Sequence, residues 1–172
     1  MALSVEHRKY LVRDQMVVPF FINFVLNAML PWLAFRSQQT VSIWGNPGVV
    51  GDMVVTMFAL PAMICLIATP LVRLMARAGK APALPSLADV PGLAPRLPAN
   101  LWLRALLLGA VVCLLASPMI LGALQLSGWA EISVLNFALG KGAICGLLAA
   151  LISPPLAIRA LAEGTQATTT AA

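Results

Sequence analysis

The chain is poor in charge, above all in acids, and has a single histidine. Of 172 residues only six are Asp or Glu and eleven are Lys or Arg, and His7 lies in a polar N-terminal segment. Cys65, Cys113 and Cys145 stand far apart inside apolar stretches, with no CxxC and no metal-type spacing. The thiols therefore read as small, inert buried side chains. No zinc or haem site built from His and Cys is expected, nor any other metal or cofactor. No HExxH, GxSxG or Walker loop occurs, and no carboxylates are paired at catalytic spacing, so no enzymatic activity is expected.

What abounds is apolar surface. Hydrophobic residues make up 60% of the chain and charged residues 10%, and the mean hydropathy is +0.92. Soluble domains carry about 25% charged residues. A chain of this size could not hide so much apolar surface inside a globule, so lipid is the expected solvent. The net charge of +5 would suit nucleic acid. The basic residues, however, flank apolar spans and form no run with interleaved aromatics, so no nucleic-acid partner is expected.

A span needs about 20 apolar residues. Segments 16–35, 53–72, 101–124 and 132–152 meet that length, the last with a possible extension to Ile158. The first is too long for the core of a signal peptide and has no small-residue cleavage site after it. The expected fold is an all-α integral membrane protein of four transmembrane helices. It forms a single polytopic domain over 1–172, with a proline-rich loop at 79–100 and a disordered tail at 165–172.

Charge placement gives the expected threading. Arg8, Lys9, Arg13, Arg73, Arg77, Lys80, Arg96, Arg104 and Arg159 fall on one side, against Arg36 alone on the other, with Lys141 inside a span. Both termini are therefore expected in the cytoplasm. Trp32, Trp44 and Trp129 fall at the expected outer interface, Tyr10 and Trp102 at the inner one. Arginine outnumbers lysine eight to three, a balance associated with GC-rich bacteria, so the expected location is a bacterial cytoplasmic (inner) membrane.

The loop GKAPALPSLADVPGLAPRLPAN, residues 79–100, holds five prolines that forbid a continuous helix. Leu84, Leu87, Val90 and Leu93 recur at every third residue, which in polyproline II makes one apolar ridge. The ridge would lie on the membrane surface or dock a partner. Prolines also punctuate the spans, and kinks are expected near Pro61 and Pro118. LIATPL at 66–71 resembles LISPPL at 151–156, and Gly79 and Gly164 keep the same offset. The match is faint, but it suggests a duplicated two-helix unit.

Small residues recur at four-residue spacing in the last two spans. Ala105, Gly109, Cys113 and Ser117 form one row, and Ala138, Gly142, Gly146 and Ala150 the other. Such rows let helix backbones approach closely, so spans three and four are expected to form a tight hairpin.

Lys141, between Gly140 and Gly142, is the one ionisable residue deep in a span. Counting from Ile132 it lies about 14 Å in, close to the midplane of a core about 30 Å thick. Charges at that depth are costly and by default functional, although a lysine can also snorkel or pin helix register. No acid lies within a helical turn. Asp52 and Glu131 sit near outer helix ends, where the dipole favours a carboxylate, and either could pair with Lys141 only if the lysine reached up. Asn27 lies at nearly the depth of Lys141, one turn above Asn23, and is its expected partner. Thr56, Ser117 and Asn136 make a looser polar layer, with Asn136 pointing about 140° away from Lys141.

Two functions fit these features. One is a small transporter or channel-like protein, with Lys141, Asn27, Asn23 and Asn136 as candidate binding residues for a polar or anionic solute. The other is a non-catalytic accessory or assembly subunit of a larger membrane complex. The lipid bilayer, and a second copy of the chain or a partner subunit, are the expected contacts.

Overall fold

The computed structural model describes residues 3–84, 86–87, 90 and 92–169, with side chains to residue 166. Pro85 and Pro91 of the loop, and the end of the tail at 170–172, lie outside the described residues. Among the described residues the regular structure is all helical apart from one small ribbon. Helix α1 (Val5–Val12) passes through a π-turn (Arg13–Val17) into α2 (Val18–Phe35). Strand β1 (Thr40–Ser42) leads to α3 (Val49–Arg77), and after the loop and a 3₁₀ turn at Ala94–Arg96 comes α4 (Leu101–Ser127). Strand β2 (Glu131–Ser133) then runs straight into α5 (Val134–Thr169). Val5–Phe35, Val49–Arg77, Leu101–Ser127 and Val134–Gln166 are each long and apolar enough to cross a membrane.

Local sequence sets the helix ends. The Asn100 side chain accepts from the backbone N–H groups of Trp102 and Leu103 and so caps α4, which ends on Gly128 at φ +68°. Ser4 caps α1 through the N–H of His7. Asp52 stands in the first turn of α3, as the dipole argument anticipates. At the π-turn the Gln15 amide donates to the Tyr10 hydroxyl across five residues. Tyr10 is thereby buried, whereas Trp32, Trp44, Trp102 and Trp129 are exposed.

Pro154 and Pro155 lie inside α5 and do not end it. The fourth helix thus extends far beyond the expected boundary at 152, and it takes in the first five residues of the segment expected as a disordered tail. Its last turns are anchored. The Thr165 hydroxyl donates to the Leu161 carbonyl and accepts from the N–H of Leu84 in the loop.

Packing follows a two-fold pattern. Helix α2 packs on α5, α4 packs on α3, and α3 and α5 meet in the centre. Strands β1 and β2, the links within the two halves, pair antiparallel, with Val41 opposite Ile132. Exchanging one helix–strand–helix half for the other leaves this pattern unchanged, which is what a duplicated unit requires.

The small-residue rows work, but not as a hairpin of spans three and four. On α4, a Cβ at Gly109 would lie 2.8 Å from the Phe58 carbonyl oxygen of α3, and the Cys113 thiol reaches the Val54 carbonyl. On α5, Cβ atoms at Gly142 and Gly146 would lie 2.8 and 3.0 Å from the carbonyl oxygens of Phe24 and Phe20 on α2. Each row therefore receives a different helix. The reason lies in the connection. Strand β2 pairs with β1 across the molecule, which draws α5 between α2 and α3 and away from a simple return along α4.

The proline-rich loop also departs from expectation. Leu84 and Val90 are buried, and Leu87 packs beside them, against Tyr10, Leu11, Val72, Ala157 and Leu161. Leu93 alone of the four ridge residues faces outward. The ridge thus caps one end of the bundle, where apolar helix ends gain more from its burial than solvent would allow.

Candidate functional site

Lys141 has an acidic partner. Its ammonium group donates to Asp52 Oδ1 at 2.8 Å and lies 2.6 Å from Oδ2. The second contact is close but off hydrogen-bond geometry, so Oδ2, although buried, accepts no hydrogen bond. Lys141 is 4% exposed and Asp52 34%. The expected Asn27–Lys141 bond is absent, because the ammonium is committed to Asp52; the Asn27 amide donates to the Asn23 carbonyl and the Asn23 amide to the Pro19 carbonyl. Asp52 is the conditional partner, open to the lysine only if the lysine reached up: the two are 89 positions apart, and they meet because α3 and α5 run parallel in the centre.

The depth of the lysine changes with that partner. At the other end of the same two helices, Glu163 of α5 takes hydrogen bonds from Arg73 of α3, Arg104 of α4 and Arg159 one turn earlier. Twenty-one residues separate Asp52 from Arg73, about 32 Å of helix. Two polar layers therefore bracket an apolar belt, and Lys141 sits at one edge of it. The expectation of a midplane lysine counted depth from Ile132, whereas Lys141 is level with Asp52 in the first turn of α3.

The second layer escaped sequence reading because Arg104, Arg73 and Arg159 look like flanking charges. Arg104 is completely buried. It also donates to the carbonyls of Pro98 and Ala99, tying the loop to the bundle, while its Nη1 has no hydrogen-bond partner. The signal was Glu163, an acid on the same helix face as Arg159 one turn earlier.

Between the layers lies a cavity of about 620 Å³ lined by α2, α3 and α5. That volume suits a small-molecule site. Its walls include Ile22, Leu26, Leu30, Val55, Met63 and Ile67, each at least half-exposed, and its polar points are Asn23, Asn27, Asp52, Thr56, Lys141 and Ser153. It is a groove on the side of the bundle, since α5 forms its floor and α2 and α3 its two walls. Of the four candidate binding residues, Lys141, Asn27 and Asn23 come together there. Asn136 does not line the groove and is exposed near the start of α5. Nor do Thr56, Ser117 and Asn136 form a layer: the Thr56 hydroxyl donates to the Asp52 carbonyl, and that of Ser117 lies beside Cys113.

The cysteines are unpaired, with Cys65 and Cys145 buried and Cys113 partly so. Among the described residues no three of His, Cys, Asp and Glu gather closely enough to hold a metal. Comparisons of the chain with known protein families, with curated proteins and with solved structures find no match.

Proposed function

We propose that this chain is a multi-pass, non-catalytic membrane protein that takes an amphiphilic molecule from the bilayer into the groove between α2 and α3. The observation that carries this reading is the make-up of the groove: apolar walls facing sideways, with a charged pair at one end. A bilayer whose hydrocarbon is about 30 Å thick matches the spacing of the two polar layers, with the groove opening into lipid. Both termini and the loop at 79–100 then face the cytoplasm, in keeping with the charge bias, and the β1–β2 ribbon faces outward.

Transport of a free anion fits the groove less well. That reading rested on an unmatched ammonium group, and Asp52 now neutralises Lys141. An anion entering the groove would meet the aspartate, which is the more exposed member of the pair. The accessory-subunit reading remains compatible with a bound lipid, because the guest could be presented to a partner.

Filling the groove tests the proposal. Ala59 lies in its wall, and Ala59→Trp should exclude a guest while leaving the helix intact. Protein purified from membranes is expected to carry a bound amphiphile, detected by native mass spectrometry, and the variant is expected to lose it. Equal retention by a variant of unchanged thermal stability would contradict the reading.

A further inference from the structure

We infer that the groove selects its guest by the head group: a long-chain amphiphile whose head donates hydrogen bonds, an amine or a hydroxyl, in preference to one with a carboxylate head. This rests on the amphiphile reading and adds the chemical class.

The polar end of the groove is asymmetric. The Lys141 ammonium is almost wholly enclosed and is committed to Asp52, whereas Asp52 keeps a third of its surface open. A head group arriving along the groove therefore meets an acceptor, not a donor. Anionic acceptors make strong hydrogen bonds in low-dielectric surroundings, so the open part of the Asp52 carboxylate favours a head group that donates. A carboxylate head would place like charge beside like charge and add an acceptor where a donor is wanted.

A second polar atom marks how far the site extends. Ser153 is 1% exposed, lines the same cavity, and its hydroxyl has no hydrogen-bond partner. It lies twelve residues beyond Lys141 on α5, about 18 Å along the helix. The walls between are apolar save for Asn23 and Asn27, whose amide groups donate to backbone carbonyls of their own helix. A guest that supplies a donor to Asp52 thus needs a long chain to fill the space down to Ser153, so a short polar solute does not fit.

The test uses two photoactivatable probes that differ only at the head, tetradecylamine and myristic acid carrying the same diazirine on the chain. Each is added to the full-length protein in nanodiscs of zwitterionic phospholipid, and labelled peptides are mapped. The amine is expected to label residues of the α2 and α3 walls roughly tenfold more than the acid. A double variant, Asp52→Asn with Lys141→Met, removes both charges without leaving either one buried alone, and should abolish the preference while retaining labelling. Equal labelling of the wild type by both probes, or a preference for the acid, would overturn the head-group inference and leave the groove reading standing. No labelling of the walls by either probe would overturn both.

Discussion

The two polar layers solve the same problem in opposite ways. At the outer edge of the proposed span one lysine meets one aspartate, and the aspartate stays partly open. At the inner edge one glutamate holds three arginines, with Arg104 fully buried and also bonded to two loop carbonyls. The inner layer joins α3, α4, α5 and the loop, so it is a structural clasp. The outer layer joins α3 and α5 alone and borders a cavity. Charge that is enclosed and shared among many elements holds a fold together, whereas charge left at the lip of a groove is available to a guest.

The largest effect is expected where that contrast is sharpest. Glu163→Gln leaves three guanidinium groups facing one another around a neutral amide. Removing one partner of a buried ion pair costs about 3–5 kcal/mol, so the variant should be mostly unfolded or unstable in detergent, as read by thermal unfolding and by the fraction of monodisperse protein. A melting temperature close to that of the wild type would remove the clasp from the account.

The outer pair should give smaller and unequal effects. Asp52→Asn strands an ammonium that is almost fully enclosed, with an expected cost of about 1–3 kcal/mol. Lys141→Met leaves a carboxylate that is partly open at the edge of the span, and its cost should be the smaller of the two. Thermal unfolding of the two variants side by side checks the order. Equal losses would mean that the aspartate is as enclosed as the lysine, which would weaken the case for a head group reaching it.

Much of the fold was legible in the sequence because lipid imposes a simple rule: about twenty apolar residues per crossing, with basic residues gathered to one side. The four helices, the acid in the first turn of α3 and the usefulness of Gly109, Gly142 and Gly146 all follow from local pattern. The helix partners do not. A row of small residues says that some backbone comes close, but not which one, and β2 redirects α5 away from α4. The site was half legible for the same reason. Lys141, Asn27 and Asn23 were found from their depth in the spans, which is local. Asp52 and the Glu163 clasp depend on α3 and α5 running side by side, which no window of sequence contains. The double proline after Ser153 concealed the true length of α5.

The central claim is that the groove between α2 and α3 opens to lipid and not to water. A spin label at Met63→Cys, in a background with Cys65, Cys113 and Cys145 replaced by alanine, sits on the groove wall. Its collision rates with oxygen, which partitions into lipid, and with a neutral nickel chelate, which stays in water, can be compared in nanodiscs. The account predicts high accessibility to oxygen and very low accessibility to the chelate. High accessibility to the chelate would describe a water-filled cavity, the setting a polar solute requires, and would contradict it.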